Sequence, residues 1–402
     1  MMRWLGVLVL ALLACAACAG GTGGSSSQAG APVKIGLLTS LTGNYAPLGS
    51  QDKLAAQQMV NQVNGQGGIN GHKIDLIQKD DQSDPNQTVV AYNQLVDSGV
   101  SAIEGPPQST SELAIQSLVD QKAIPDVSVG AADEQTIPVH PYMWQTTPLS
   151  SQVANVMVSY LKAQGKTKVA TLTDTKNAYA VDGDKSFNKL AQQAGIQVVD
   201  PETFELGQTD FTPQFAKIVS QKPDFVVVWA TGAPPIVITK QWATASSGIP
   251  LMMSAAEASP LYIQPSGAAA ENVYIAATLG VIGQHVPGCN KFKGAIDTFA
   301  GPYQKTNKLY PPQFAWDSMV AMTFLFDAIK RKGTTPQQIK SGLDSINLDT
   351  PQGHYSFTGS RHYGMPNSSN LMTQVKGGQM MPVGETQQTL CSAGQGSSTQ
   401  FA

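Results

Sequence analysis

The sequence predicts an α/β protein of two similar lobes, each built on a largely parallel sheet. Short apolar segments alternate with helical segments along the chain, which is the pattern of βαβ units. This alternation starts again near residue 150, after one complete series. The roughly 370 residues that follow the N-terminal segment also suit two domains better than one.

The N-terminal segment predicts export. Arg3 precedes an apolar run from Trp4 to Leu13, which has the length of a signal-peptide core and is too short to span a bilayer comfortably. Leu12-Leu13-Ala14-Cys15 is similar to a lipobox, so we expect residues 1–14 to be a lipoprotein signal peptide and Cys15 to carry the lipid. Cys18 is the alternative lipid site, and a plain secretory signal is a third interpretation.

Residues 15–32 are typical of a flexible tether, since they are rich in Gly, Ser and Ala. We therefore expect the protein to lie outside the cytoplasm and to touch the membrane only through its lipid.

The charge of the chain argues against nucleic acid as a partner, and its cysteines suggest a disulfide. The chain has 25 basic and 28 acidic residues and a net charge of -3, which gives no basic surface for nucleic acid. Cys289 and Cys391 remain after processing, and in an oxidising compartment they suggest a disulfide that ties the tail, residues 391–402, to the body. Two unpaired thiols are the alternative.

The first lobe is expected over residues 33–148, with Gly residues and one helix cap marking the limits of its elements. The predicted strands are Val33 to Leu38, a segment around Ile74 and Leu76, Ala102 to Glu104, and Ile124 to Val129. The predicted helices are Gln51 to Asn64, the stretch between Asp84 and Gly99, and Ser109 to Lys122, with residues 39–50 as a loop.

The second lobe is expected over residues 149–277, where Phe225 to Val228 has the continuous apolar character of a parallel strand buried on both faces. The other predicted elements are helices at Val153 to Gln164, Asp182 to Ala194 and before Gly248, and strands at Lys168 to Leu172, Pro250 to Ser254 and Val273 to Ala277.

The C-terminal part is helical again and then forms hairpins. The predicted helices are Asn290 to Lys305, Gln313 to Lys332 and Pro336 to Ile346, and the hairpins lie near Tyr355 and Leu371. We therefore expect the chain to return to lobe 1 over about 278–350 and to lobe 2 over about 351–390, so that three strands form a hinge. A cleft between hinged lobes can close over a small ligand.

The strongest candidate for a binding site is the turn before the third helix. Ser109-Thr110-Ser111-Glu112 fits a capping box, with Ser109 as the N-cap residue. The free N–H groups and the positive end of such a helix attract a carboxylate. A capping role alone would also explain Ser109.

The sequence contains none of the common motifs that predict an enzyme or a metal site. The sequence has no Gly-x-Ser-x-Gly elbow, no Gly-Lys-Ser/Thr phosphate loop and no dinucleotide-binding fingerprint after a strand. Its five histidines are far apart and form no zinc pair, and the acidic residues near Asp80 lack the glycine and distal glutamate of a calcium loop. We expect a binding protein without a metal or cofactor.

Five segments together resemble the leucine/isoleucine/valine-binding family of type I periplasmic solute-binding proteins. They are Lys34 to Gly43 (KIGLLTSLTG), Gly65 to Gly71 (GQGGING), Asp80 to Pro85 (DDQSDP), Ile103 to Pro106 (IEGP) and Ser109 to Ser111 (STS). The resemblance covers most of the chain, to about residue 380. It implies two Rossmann-like lobes, three crossovers between them, and amino acids or related small organic molecules as ligands.

The resemblance also implies site residues in the first lobe. The turn at Ser109 and Thr110 would bind the ligand's carboxylate, and Gly130 to Ala132 would meet its head group. Ala132 stands where the family's amino-acid binders have threonine, so one hydroxyl contact is missing. Tyr45 is a possible substitute for an aromatic residue that is absent near Leu48.

In the second lobe the resemblance implies Tyr179, which would close over the ligand, and Glu257, which would meet an ammonium group. Thr231 stands near the position where the branched-chain binders carry tyrosine. These departures weaken the case for a branched-chain amino acid and leave another amino acid, an amide or a carboxylate without an amine.

The expected function is therefore the extracytoplasmic, lipid-anchored substrate-binding component of an ABC importer, acting as a monomer and delivering its small-molecule ligand to a permease. The alternative is a sensor or receptor component for amides or amino acids, because the same fold closes on ligands in signalling proteins.

Overall fold

The structure, a computed structural model, describes residues 30–245 and 248–396. The predicted signal peptide, both candidate lipid sites, Cys15 and Cys18, and the tether up to residue 29 lie outside the described residues. The first strand begins at Gly30, so the last three residues assigned to the tether belong to the body.

The described part of the chain alternates strands and helices. The strands are β1 (Gly30–Thr39), β2 (His72–Asp80), β3 (Ala102–Glu104), β4 (Asp126–Ser128), β5 (Met143–Gln145), β6 (Lys168–Asp174), β7 (Gln197–Val198), β8 (Glu202–Phe204), β9 (Phe225–Trp229), β10 (Leu251–Met253), β11 (Tyr274–Thr278), β12 (Asn347–Thr350), β13 (Gly353–Ser356), β14 (Asn370–Lys376) and β15 (Gln379–Pro382). The helices are α1 (Ala46–Gly65), α2 (Pro85–Asp97), α3 (Ser109–Lys122), α4 (Ser150–Ala163), α5 (Ala178–Gln193), α6 (Thr212–Gln221), α7 (Pro234–Ala245), α8 (Pro260–Ser266), α9 (Lys293–Asn307), α10 (Gln313–Lys332), α11 (Pro336–Leu343) and α12 (Gln387–Ser392).

Two main sheets organise these elements and confirm the predicted α/β fold class. The first has the order β2-β1-β3-β4-β5 and is parallel throughout. The second has the order β15-β14-β11-β10-β9-β6-β7, with β8 also on β6, and is mixed because β14 runs antiparallel to β11 and β15. The central strand β9 is buried at every residue, as its apolar run predicts.

The chain passes between the sheets three times: after β5, after β11 and before β14. Helix α10 follows β11 of the second sheet in sequence but packs on α1, beside the first sheet. The exact limits of the two lobes stay a prediction.

The start of α1 departs from the sequence-based expectation. The predicted loop, residues 39–50, ends earlier, because the helix begins at Ala46 with Pro47 in its first turn. Gly49 is a helical residue here. A Cβ atom at this position would lie 2.0 Å from the backbone oxygen of Ser40, so the glycine allows close packing of the helix on that loop.

The tail is docked on the body. The Asn290 side chain donates hydrogen bonds to the backbone oxygens of Leu390, at 2.7 Å, and Ala393, at 3.0 Å. Cys289 and Cys391 lie beside these contacts with their Cα atoms 5.3 Å apart, a separation that suits a disulfide.

The carboxyl groups that the first lobe buries without an ion-pair partner among the described residues include Asp52, Glu104, Glu112, Asp126 and Asp317. Burial raises the pKa of each, and it raises the pKa of Glu104 and Asp317 to about 8. The folded protein therefore holds several of these groups in the neutral form near pH 7.

We expect Glu104 to make the fold less stable as the pH rises. An unfolded glutamate loses its proton near the ordinary pKa of 4.5, whereas the folded Glu104 keeps it up to about 8. Between these values the folded state binds more protons, so the free energy of unfolding falls by up to about 1.4 kcal/mol per pH unit for this group. Above pH 8 its contribution stays constant.

The measurement is the free energy of unfolding between pH 5 and 9 for the wild type and for Glu104→Gln. The variant should lose stability less steeply than the wild type over this range. Glu205→Gln is the matched control, since Glu205 is exposed and forms a surface ion pair with Lys176. Equal slopes in the wild type and Glu104→Gln would contradict the prediction.

Candidate functional site

A cleft of about 430 Å³ lies between the two sheets, and residues from both line it. Ser109 and Ala131 lie just after strands of the first sheet, and Asn177, Tyr179 and Thr231 lie just after strands of the second. The carboxyl ends of parallel strands meet at one edge of a sheet, which is where ligands of open α/β sheets bind. The structure thus brings predicted residues of both lobes together.

Ser109 does not cap its helix, so the predicted capping box is wrong. The N-cap residue of α3 is Gln108, whose side chain makes no cap hydrogen bond, and Ser109 is the first helical residue. The Ser109 hydroxyl instead accepts hydrogen bonds from the N–H groups of Ala131 and Ala132, both at 3.0 Å. It therefore joins the two first-lobe turns that the sequence singled out.

This arrangement fixes the turn at Gly130 to Ala132. The Gly130 N–H donates to the Ser128 hydroxyl at 3.0 Å. A Cβ atom on Gly130 would lie 2.6 Å from the amide nitrogen of the Gln135 side chain and 3.1 Å from the Ser109 hydroxyl, so a larger residue here would displace the Gln135 side chain. Ala131 lines the cleft, whereas Ala132 is buried behind it.

The second-lobe wall is organised around Asn177. The Asn177 side chain caps α5 by accepting from the Ala180 N–H at 3.2 Å, and its amide donates to the Thr231 hydroxyl. Tyr179 is buried and meets Trp229 edge to face, with ring centroids 5.7 Å apart. Both predicted residues, Tyr179 and Thr231, therefore line the cleft on a rigid support.

Tyr45 lies beside the cleft and packs with Leu48 and Phe314. Burial is the main cause that raises its pKa to about 12, while hydrogen bonds with Thr231 and Asn177 oppose the shift. The predicted substitute aromatic residue is therefore in contact with the second-lobe wall.

Glu257 lines an adjoining cleft together with Ala256, which also lines the main one. Its Oε2 atom accepts from the Ser254 hydroxyl at 2.9 Å, while Oε1 is buried and accepts no hydrogen bond in the described part of the chain. Burial raises its pKa well above the ordinary value. A positively charged donor beside Oε1 would oppose this shift and favour the ionised carboxylate.

Sequence analysis missed three residues of the cleft at the start of α10: Gln313, Phe314 and Asp317. The Gln313 amide donates to both Asp317 oxygens, at 2.9 and 3.0 Å, and its oxygen accepts from the Thr278 hydroxyl at 2.9 Å. Their helix was predicted correctly, but its position over the cleft depends on a long-range crossover that local patterns do not reveal.

The lobes touch directly at the rim. The Thr110 hydroxyl accepts from the Ala178 N–H at 3.0 Å and donates to the Lys176 backbone oxygen at 3.4 Å. On another side, Gln51 lies 3.4 Å from the Ser259 hydroxyl. The structure therefore shows a closed arrangement, in which Thr110 contacts the opposite lobe.

Residues 30–245 and 248–396 meet the requirements of neither a metal site nor a membrane-spanning helix. No cluster of three or more His, Cys, Asp or Glu side chains there could hold a metal ion. No helix in these ranges has the length and apolar character needed to cross a membrane.

Comparison with known proteins agrees with this fold. The family model described as "Periplasmic binding protein" matches residues 32–379. A leucine-, isoleucine-, valine-, threonine- and alanine-binding protein of Pseudomonas aeruginosa is 24% identical over 83% of this chain and 87% of its own. The Leu/Ile/Val-binding protein BraC3 of Rhizobium johnstonii is 30% identical, over 49% of this chain and 54% of its own.

Solved structures have the same fold. An extracellular ligand-binding receptor from Rhodopseudomonas palustris HaA2 superposes with a TM-score of 0.81, at 20% identity, over 87% of this chain and 99% of its own. A solute-binding protein of an ABC transporter from R. palustris, solved with benzoate, gives a TM-score of 0.77 at 20% identity, over 88% and 96% of the chains.

These relatives are solute-binding proteins and not enzymes, and the resemblance to the leucine/isoleucine/valine-binding proteins is confirmed. Members of such a family bind small molecules outside the cytoplasm. With its two-sheet fold, its cleft between the sheets and a family match over most of its length, this chain belongs to the periplasmic binding protein family.

Proposed function

We propose that this protein is the extracytoplasmic substrate-binding component of an ABC importer, and that it captures an amino acid or a related small organic molecule in the cleft between its lobes. The observation that carries the proposal is the meeting of the Ser109 turn with Tyr179 and Thr231 around one cleft, since these residues come from different sheets.

The polar end of the ligand is expected at Ser109. Its hydroxyl oxygen already accepts from two N–H groups, so its hydrogen remains available to a ligand carboxylate. The N-terminus of α3, where the free N–H groups and the positive dipole end lie, favours the same negative charge. The carboxylate therefore needs no arginine or lysine from the wall.

The remainder of the ligand is expected to be apolar. Val129, Val153, Ala255 and Phe314 line the cleft, and no basic side chain does so in the described part of the chain. Relatives named for leucine, isoleucine and valine and a structural neighbour solved with benzoate bind ligands of this kind, an apolar body with a carboxylate. Glu257 is proposed as the partner of an ammonium group, if the ligand carries one.

Delivery of the ligand to a permease depends on closure of the two lobes. A ligand can shift an open–closed equilibrium only by binding one state better, and contacts to both lobes favour the closed one. We propose that a permease recognises this closed state. A lipid on Cys15, or on Cys18, would keep the monomeric protein at the membrane. The lobes would divide at the limits derived from the sequence.

A thermal-shift screen tests the function directly. A ligand that binds only the folded state raises the melting temperature, and we expect a rise with amino acids or small carboxylates of apolar body. A screen of amino acids, amides, aliphatic acids and aromatic acids without any rise would count against the proposal.

Ser109→Ala should weaken binding of any compound found in this way by about 1 to 3 kcal/mol, because a hydrogen bond to a charged group is lost. Ser117→Ala is the matched control. Ser117 lies on the same helix, is exposed and is not among the residues that line the cleft. Calorimetric titration measures both, and equal affinities in the two variants would remove Ser109 from the site.

Glu257→Gln should weaken binding of an amino acid at least tenfold, since a charge-assisted hydrogen bond becomes a neutral one. Binding of the same compound without its amino group should change little. Titrations of the wild type and of Glu257→Gln with leucine and with 4-methylpentanoate make the comparison. A variant that loses affinity for both compounds to the same extent would show that Glu257 supports the fold and does not read the amine.

We also propose that Cys289 and Cys391 form a disulfide in the exported protein. The close approach of their Cα atoms and the docking of the tail through Asn290 support this. The bond would close a loop of 102 residues, and such a bond stabilises mainly by limiting the unfolded chain.

Cys391→Ser should therefore lower the free energy of unfolding by about 2 to 4 kcal/mol. Denaturant unfolding of the variant, beside the wild type with and without reductant, measures the loss. Reduced wild type should match the variant. Free thiols in the untreated protein, shown by labelling under denaturing conditions, would exclude the bond.

A further inference from the structure

Two carboxyl groups face each other across the closed lobes through a single serine. Asp133 follows β4 on the first-lobe side, and Asp182 lies on α5 of the second. The Ser150 hydroxyl oxygen, at the start of α4, is 2.8 Å from Asp133 Oδ1 and 2.5 Å from Asp182 Oδ2. We call these three side chains the carboxyl bridge.

The carboxyl bridge needs two hydrogens. Both oxygen–oxygen distances are those of O–H···O hydrogen bonds, so each needs a hydrogen. The serine supplies one, and a fully ionised carboxylate supplies none. The second hydrogen must therefore belong to one of the two carboxyl groups.

The remaining donors do not change this count. The Asp133 N–H donates to Asp182 Oδ2 at 2.8 Å, and the Ser151 N–H donates to Asp133 Oδ1 at 3.1 Å. These bonds hold the two oxygens in place, but they leave the contacts with the Ser150 hydroxyl unchanged. Ser150 is fully buried, so water does not separate the groups at the serine.

The surrounding charges do not neutralise the pair. Glu134, Lys176 and Lys185 line the rim beside Asp182, but no ion pair joins a basic side chain to Asp133 or Asp182 in the described part of the chain. Lys176 pairs with Glu205 instead. On the inner side the nearby titratable groups are the phenols of Tyr179 and Tyr363.

Burial is the main cause that raises the pKa of Asp133 above its usual range, and the charge of Asp182 is the second cause. This direction agrees with the need for a proton on one of the two carboxyl groups. Opening of the lobes would separate Asp133 from Asp182 and return each to water, where an aspartate ionises near pH 4.

We propose that closure of this protein takes up one proton at the carboxyl bridge of Asp133, Ser150 and Asp182, so that acid favours the closed state. This inference rests on the proposed opening and closing of the lobes. Below the pKa of the open-state aspartate both states are protonated and the effect of pH is absent. As the pH rises above that value the closed state alone keeps the proton, and the ratio of closed to open protein falls by up to tenfold per pH unit. Once the bridge itself has ionised, the ratio is constant.

The test uses the purified protein without any ligand, so its outcome is independent of the ligand screen. Small-angle X-ray scattering between pH 5 and 8 gives the closed fraction from the radius of gyration. We expect the closed-to-open ratio of the wild type to fall at least about threefold over this range, in line with the linkage of one proton.

Asp182→Asn should abolish this dependence, because the amide can hydrogen-bond to Ser150 without taking up a proton. Glu134→Gln is the matched control: it removes a neighbouring negative charge at the same rim but no bridge atom, so it should keep the wild-type response. If circular dichroism shows that Asp182→Asn does not fold, Asp133→Asn replaces it with the same expectation.

A wild type whose radius does not change with pH would overturn the proposal, as would an asparagine variant that keeps the full response. A protein that binds small molecules but shows no pH-dependent closure would refute the bridge alone. A pH-dependent closure without any bound ligand class would leave the bridge standing and count against the proposed function.

Discussion

The constraint on which the site depends is the direction of the strands. In a parallel sheet all loops that follow the strands emerge at one edge, and the two sheets of this chain turn these edges towards one cleft. Ser109 follows β3, Gly130 follows β4, Asn177 follows β6 and Thr231 follows β9. Residues more than 120 positions apart in sequence thereby become neighbours without any special pairing signal of their own.

This constraint also explains how far the sequence could be interpreted. Parallel strands such as β9 and capped helices such as α2, with Asp84 accepting from the Asn86 N–H, carry local signals, and the sequence predicted both. The predicted start of α1 was wrong, because Gly49 serves close packing on Ser40 and not a turn. A glycine in a turn and a glycine at a close packing contact look the same in the sequence, so only the tertiary contact distinguishes the two roles.

The site was predictable to a similar degree. The resemblance pointed to the segments around Ser109, Gly130 and Tyr179, which the structure places at or beside one cleft, but it did not predict the hydrogen bonds that the Ser109 hydroxyl accepts. A serine three residues before a glutamate satisfies the capping pattern, yet its hydroxyl accepts from the turn after β4 and Glu112 is buried in the core. The three residues of α10 were missed because the helix reaches the cleft only after the chain has crossed between the sheets.

The contact of Thr110 with the opposite lobe involves only main-chain atoms of Lys176 and Ala178. Any residue except proline presents the same N–H group at position 178, and every residue presents the same oxygen at position 176. Side chains at positions 176 and 178 can thus vary during evolution while the two hydrogen bonds of Thr110 with the opposite lobe persist. Substitutions that alter the chemistry of the cleft wall can therefore leave the hydrogen bonds that join the two lobes intact.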